Sequence, residues 1–158
     1  MKRITFKRML AALVVASPQL LWGANLNIAT TFPDPSVQAE LSSYDSNDNG
    51  ILEESEQTFT WLSLSNLGVK DLTGVGLLTQ LTYLDVSENA ELTQINVKTL
   101  VNLQTLSVYN TGLTTIDVSG MTNLTTLSAY GCANLTTILA DGCSSLYSIS
   151  SCDESNYP

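Results

Sequence analysis

The chain has 158 residues, six basic and fifteen acidic side chains and no histidine, with a formal net charge of −9. That length allows one domain at most once a leader is set aside, and the missing histidine excludes Ser–His–Asp triads and His-assisted cysteine chemistry. Residues 1–24 read as a secretory signal peptide. Lys2, Arg3, Lys7 and Arg8 precede an apolar run from Met9 to Ala16, and the segment closes on Gly23–Ala24; the run is too short to span a bilayer. Cleavage is expected after Ala24, with Ala16 as the alternative. Removal of this leader leaves only Lys70 and Lys98 against fifteen acids, a net charge of −13. Two lysines cannot build a basic patch, so nucleic acid and anionic membrane are poor partners, and the surface suits cations or basic proteins.

Residues 25–33 carry no strong pattern and are expected to form an extended lead-in. Pro33-Asp34-Pro35 then opens a helix, with Asp34 as its cap and Pro35 in its first turn. Val37, Leu41 and Tyr44 fall at helical spacing and give the helix one buried face.

The helix delivers the chain to Asp45. From there to Glu56 the sequence DSNDNGILEESE resembles the EF-hand calcium loop at each of its defining positions. Calcium takes six to eight oxygens from a flexible shell. Asp45, Asn47 and Asn49 would supply alternate side-chain oxygens, and Gly50 allows the sharp turn. Ile51 would offer its carbonyl, Glu53 a direct or water-mediated contact and Glu56 a bidentate carboxylate, while Leu52 points to the core. Asp48 is off register. The competing reading is a linker rich in Asx turns with no ion. Because Phe59 already begins a new unit, the outgoing helix must be short. Residues 25–58 are therefore expected to form a helix–loop–helix cap over the open end of the segment that Phe59 begins.

From Phe59 onward the chain is repetitive. Units open at Phe59, Leu81, Leu103, Leu124 and Leu146, spaced 22, 22, 21 and 22 residues apart. Leu81, Leu84, Val86, Leu92, Ile95, Val97 and Leu100 recur as Leu103, Leu106, Val108, Leu113, Ile116, Val118 and Met121. A period of this length means a solenoid, since one coil cannot bury its apolar edge alone. The units resemble the leucine-rich repeat, L-x-x-L-x-L-x-x-N/C-x-L. Leu81, Leu84, Val86, Asn89 and Leu92 match it with the last position one residue late, and Leu124, Leu127, Ala129, Cys132 and Leu135 do the same with cysteine in the asparagine slot. Leu67 and Thr111 occupy that slot in the other coils. The resemblance implies an α/β solenoid: a leucine-rich repeat stack of short parallel strands, about five coils over residues 59–151, behind the cap, with a tail at 152–158. Phe32-Pro33-Asp34, a calcium loop and coils such as LTTIDVSGMTNLTTL together resemble bacterial secreted leucine-rich repeat proteins of the internalin-like kind. That resemblance implies surface display and protein contact, adhesion included. Its members are usually longer, often with an anchoring segment, which the sequence lacks up to Pro158.

Strand alternation places three columns on the concave face: Trp61, Tyr83, Thr105, Thr126 and Ser148; then Ser63, Asp85, Ser107, Ser128 and Ser150; then Ser65, Ser87, Tyr109 and Tyr130. Exposed aromatics give large contact area at low entropic cost, so Trp61, Tyr83, Asp85, Tyr109 and Tyr130 are the candidate partner-binding residues. Asn102 and Asn123 are expected to cap the turns before their strands. Of the three cysteines, Cys132 and Cys152 lie one coil apart and either form a bridge or remain separate thiols, and Cys143 fills an apolar slot. With neither histidine nor a close cysteine pair, cysteine-bound metal is disfavoured. The expected protein is a non-enzymatic, secreted or surface-exposed binding module with a structural Ca2+ site. Its partner would be a protein or a glycan on the concave face, the alternative being a carbohydrate-binding or carbohydrate-active accessory protein.

Overall fold

The computed structural model describes residues 24–151. The leader and Cys152 lie outside the described residues, apart from Ala24, as does the tail. Within them the chain forms a short cap followed by a ladder of stacked coils. Strand β1 (Leu26–Asn27) leads into helix α1 (Ile28–Thr31), helix α2 (Pro35–Leu41) and strand β2 (Ile51–Leu52). The ladder strands are β3 (Trp61–Ser63), β4 (Tyr83–Asp85), β5 (Thr105–Ser107), β7 (Thr126–Ala129) and β9 (Ser148–Ser151), and a second pair is β6 (Thr115–Asp117) with β8 (Thr137–Leu139).

The main sheet is parallel in the order β3-β4-β5-β7-β9. Its register stacks Leu62, Leu84, Leu106, Leu127 and Ile149 one on the next. The first four of these are completely buried, as the repeat phase requires. Three-residue strands are stable here because every coil supplies its neighbour with both hydrogen bonds and an apolar surface. The expected parallel solenoid is therefore the observed fold. β6 and β8 form their own parallel pair on the return limb, with Ile116 opposite Ile138. The repeat phase alone places these isoleucines in the core but does not make them strands. The matching limb of the first coil carries a 3-10 turn at Val75–Leu77 instead.

The lead-in departs from expectation. It is not simply extended: β1 pairs antiparallel with β2, and Asn27 caps α1 by accepting the Thr30 amide at 3.0 Å. The physical reason lies in Leu26, Ile28 and Phe32, all buried, a spacing too irregular to read as either period. After β2 the outgoing helix is reduced to one turn, in which the Glu56 and Gln57 amides donate to the Glu53 carbonyl at 2.9 and 3.2 Å. Helix α2 forms as expected, with Asp34 at its N-cap, Pro35 first, and Val37 and Leu41 buried.

Asp34 also fastens the cap to the first coil. One carboxylate oxygen accepts the Ser36 amide at 2.9 Å, and the other accepts the amides of Lys70 and Asp71 at 2.8 and 3.1 Å. Burial works to raise its pKa, but the backbone N–H groups of Lys70, Asp71, Ser36 and Val37 outweigh burial and hold it below the ordinary aspartate value. Tyr44 stacks on Phe59 with ring centroids 4.0 Å apart. Gly74, at φ +90°, lies so close to Thr31 and Phe32 that a Cβ would collide with the Thr31 carbonyl; only glycine admits the cap at this distance.

Polar groups in the coil turns are matched from coil to coil. Asn89 donates to the carbonyls of Leu64, Val86 and Ser87, and accepts the Val69 amide. Where asparagine is replaced, Thr111 Oγ1 donates to the Val108 carbonyl at 2.7 Å and Cys132 Sγ reaches the same oxygen at 3.1 Å. Asn102 and Asn123 do not cap local turns. Their amides reach back one coil to the carbonyls of Thr79 and Val101, at 3.0 and 2.8 Å, because a neighbouring coil presents an unpaired carbonyl at that height. Cys143 is half-buried rather than fully in the core, with its thiol donating to Val118 at 2.9 Å.

Candidate functional site

Two groups of residues from separate parts of the chain stand out. The first is the loop between α2 and β2. Asp45 is buried and accepts the amides of Asn49 and Gly50 at 3.3 and 2.7 Å. Asn47 accepts the Asn49 amide at 3.1 Å and Asn49 accepts the Ile51 amide at 2.8 Å. Each of these side-chain oxygens therefore holds a turn of the loop backbone and keeps a second lone pair. Asp48 and Gly50 take left-handed conformations, φ 56° and 77°, which permit the tight winding.

Glu56 closes the ring. It accepts the Ser46 amide and hydroxyl at 2.8 and 2.5 Å on one oxygen and the Glu53 amide at 3.1 Å on the other. The hydrogen bond it shares with the Glu53 side chain, followed by those with Ser46 and the backbone, lowers its pKa to about 2. It is therefore ionised at neutral pH. The carboxylates of Asp45, Glu53 and Glu56 each bring an oxygen within 4.8 Å of the others. Asn47 and Asn49 turn their amide nitrogens toward Glu53, at 3.4 and 2.7 Å. Three carboxylates at this separation repel one another, and a divalent cation among them removes that repulsion. The donor set is all oxygen and suits a hard cation.

The second group lies on the main sheet. Trp61 and Tyr83 occupy equivalent positions on β3 and β4 and stack with centroids 5.4 Å apart and planes 17° from parallel. Tyr109 and Tyr130 follow β5 and β7 and stack at 4.6 Å and 3°. Trp61 and Tyr130 are 53% and 47% exposed, so the rings present their area to solvent. Asp85 lies between the pairs in the ladder and accepts the Ser87 amide at 2.9 Å. Tyr83 is shifted upward by burial, then by the charges of Asp85 and Tyr109 and a hydrogen bond to Asp85. Tyr130 is shifted upward by burial, then by Tyr109, Glu88 and Asp85. The field of Asp85 thus reaches both pairs.

Two members of the expected concave columns are not exposed. Ser87 and Ser107 are buried and hydrogen-bond to each other at 2.8 Å. Their hydroxyls satisfy one another across the two coils, so neither needs water. Ile149, which the register stacks on the buried Leu127, is 48% exposed because no described strand lies beyond β9.

Sequence reasoning misses a row of left-handed residues. Asn66, Glu88, Asn110 and Gly131 have φ between 53° and 69° at equivalent points of successive coils. They turn the chain out of each strand. They also place Glu88 beside the aromatic strip, where its carboxylate accepts the Asn110 amide at 3.0 Å. The signal for them is the recurrence of Asn, Glu, Asn and Gly just after the strand. A shallow depression of about 360 Å³ on another side, lined by residues such as Asp71, Gly76, Gln94 and Thr99, shares no residue with either group.

No curated protein matches the chain. Among solved structures it is similar to internalin C2 of Listeria monocytogenes, with 22% identity, 80% of this chain and 68% of that chain covered, and a TM-score of 0.59. It also resembles an internalin (inlF) of the same organism, with 17% identity, coverage of 80% and 52%, and a TM-score of 0.48. The chain thus spans about half the length of that second structure. The internalin C2 likeness concerns the fold: a parallel-strand solenoid. A family model described as "Endo-beta-N-acetylglucosaminidase EndoS LRR domain" matches residues 32–156. Since that match takes in α2, the loop and every described coil, the chain belongs to the EndoS-type leucine-rich repeat domain family.

Proposed function

We propose that the chain is a non-enzymatic binding module, secreted or displayed at the bacterial surface, that docks a protein through its concave sheet. The observation that carries this reading is the pair of stacked aromatic sets, Trp61–Tyr83 and Tyr109–Tyr130, held exposed on one rigid face with Asp85 between them. Stacking fixes the rings before a partner arrives, which lowers the entropic cost of binding. Internalin-like solenoids support the protein-contact reading by analogy of fold. The leader supports export, and among the described residues no helix is long and apolar enough to cross a membrane.

The loop is proposed to hold a structural Ca2+ through Asp45, Asn47, Asn49, Glu53 and Glu56, with the Ile51 carbonyl as a further ligand. Support comes from the three converging carboxylates and from the Asn47 and Asn49 side chains, whose amides reach Glu53 within the same loop. A bound cation there would neutralise the acids and stiffen the cap on the first coil.

A glycan partner is the second reading, favoured by one observation: the matching family model describes a domain of an endo-β-N-acetylglucosaminidase. Exposed rings can stack on sugars as well as on peptide. The deciding experiment captures partners from candidate host or bacterial extracts on the immobilised protein, with and without calcium. It then repeats the capture with a Trp61→Ala/Tyr83→Ala variant. A partner that survives the double substitution unchanged would place the binding surface elsewhere. A partner that is lost on glycosidase treatment selects the glycan reading.

A further inference from the structure

We infer that the Asn49–Gly50 bond is a site of spontaneous deamidation, that the folded loop holds the reaction in check, and that conversion loosens the cap. This modification is separate from partner binding and needs no bound ion.

The chemistry begins in the sequence. Asn49 precedes a glycine, and no other asparagine of the chain does. A backbone nitrogen that has given up its proton can attack the carboxamide carbon of the asparagine before it. The N–Cγ bond forms, the Cγ–Nδ2 bond breaks, and the amide leaves as ammonia with the proton returned to it. One water then opens the five-membered imide at either carbonyl. The products are aspartate or its isomer, in which the main chain runs through the side-chain carbon. The sum is asparagine plus water to aspartate plus ammonia, with no oxidant or reductant. A side chain on the following residue hinders the attack, and glycine has none. Asn49 and Gly50 are both exposed, so water reaches the bond. Asn89, by contrast, is buried and its amide donates to three carbonyls.

The loop keeps the reacting atoms off this path. The Gly50 N–H donates to Asp45 Oδ2 at 2.7 Å. A carboxylate at that distance favours the protonated amide and disfavours the nitrogen anion that must form. Asn49 Oδ1 accepts the Ile51 amide at 2.8 Å, and its Nδ2 donates to Glu53 Oε1 at 2.7 Å. The carboxamide therefore gives up both partners before it can swing onto the Gly50 nitrogen. The Gly50 carbonyl is tied as well, accepting the Ile28 amide at 2.9 Å. Deamidation waits for the loop to open. Loop motions are fast beside this chemistry, so the rate follows the fraction of time the loop is open.

The product fits the loop less well than asparagine. An aspartate at position 49 can still accept the Ile51 amide. Its other oxygen, however, replaces the Nδ2 donor and meets Glu53 as one anion against another. Asp45 and Glu56 already bring carboxylate oxygens within 4.8 Å of that of Glu53, so a further charge adds to an existing repulsion. The isomer also lengthens the main chain by one carbon inside a tight turn. Either product weakens the hold of the loop on the β1–β2 pair.

The test is peptide mapping by mass spectrometry on the purified full chain, aged in chelator at mildly alkaline pH, beside a blocked peptide of residues 45–56. Asn49 should convert before any other asparagine, yet at least about tenfold more slowly than in the peptide, the effect of one or two hydrogen bonds held closed. Asp45→Ala and Glu53→Ala should each speed conversion by at least about threefold. Circular dichroism confirms that the repeats stay folded, and the two variants are separate so that a loss of fold in one leaves the other to be read. Asn49→Asp, the direct product, should melt below the parent in chelator, and a Glu53→Gln background should remove most of that difference. Earlier conversion at another asparagine, a rate equal to that of the peptide, or no acceleration in a folded variant would overturn the inference. An Asn49→Asp variant as stable as the parent would overturn its consequence for the cap.

Discussion

Asp34 offers the sharpest check on how the cap is joined to the stack. A residue that only capped α2 would tolerate asparagine, because Asn and Asp are comparable at N-cap positions. Here the second carboxylate oxygen accepts the amides of Lys70 and Asp71, 36 and 37 residues further along the chain. Asparagine can keep the bond to Ser36 with its carbonyl, but it then turns an N–H2 group toward two N–H donors. Loss of a backbone partner in a part-buried setting costs about 1–3 kcal/mol for each group left unsatisfied. Lys70 and Asp71 are exposed residues, so water recovers part of that. A net cost of about 2–4 kcal/mol is expected for Asp34→Asn, and about 1 kcal/mol more for Asp34→Ala, which also loses the cap. For a domain of this size that corresponds to a fall in Tm of about 10 °C, read by circular dichroism in fixed calcium. The pH dependence has a definite sign. The folded pKa lies below the unfolded one, so the carboxylate's contribution is complete above the ordinary aspartate value. It is lost as pH falls through the lower folded value. The parent should therefore lose stability in acid more steeply than Asp34→Asn. An asparagine variant that melts within 2 °C of the parent, about the resolution of the assay, would refute the clasp.

Leu106 is completely buried in the middle strand, and Leu106→Ala should cost about 2–5 kcal/mol by chemical denaturation; a change within error would mean the coil register is wrong. At Gly131, φ is +69° and a Cβ would run into the Asn110 side chain, so Gly131→Ala should cost at least about 1 kcal/mol. Gly120→Ala, with open space around it, should cost less, and equal losses would show that only backbone conformation matters. Chelation should lower Tm by a few degrees without melting the repeats: a site with Kd near 10⁻⁴ M adds about 1.4 kcal/mol at millimolar calcium. Glu56→Gln should remove most of that shift and Asp48→Asn little of it, whereas no heat and no thermal shift at about 10 mM calcium, well above the weak end of such sites, would eliminate the ion.

Much of this fold was legible because the repeat states its own phase. Leu84, Leu106 and Leu127 recur at a fixed distance, and a parallel ladder buries whatever recurs. The columns carrying Trp61, Tyr83, Tyr109 and Tyr130 come from the same phase. Other features depend on contacts across coils, which no local pattern encodes. Asp34 reads as a helix cap, and nothing nearby in sequence announces its bonds to Lys70 and Asp71. Ser87 and Ser107 look like surface hydroxyls until the register pairs them. The strands β6 and β8 need each other, since Thr115–Asp117 has no partner until Thr137–Leu139 arrives one coil later. In the proposed calcium loop the order of the candidate oxygen donors is written in the sequence, whereas the convergence of Asp45, Glu53 and Glu56 depends on the turn after β2.

The stack is sealed unevenly along its length. Leu62 to Leu127 are shut away from water, whereas Ile138 and Leu146 are half-covered and Ile149 is open. In a one-dimensional stack each coil is held only by its neighbours, so opening free energy should fall from the cap toward β9. Amide exchange would then proceed as a zipper from Ser148–Ser151 inward. The first strand it reaches is β7, which leads directly into Tyr130. The Trp61–Tyr83 half of the aromatic strip thus sits in the slow-exchanging region, and the Tyr109–Tyr130 half lies nearer the breathing end. A ligand spanning both halves would hold the zipper closed, so amide protection in the last coils should report binding even where the ligand makes no contact.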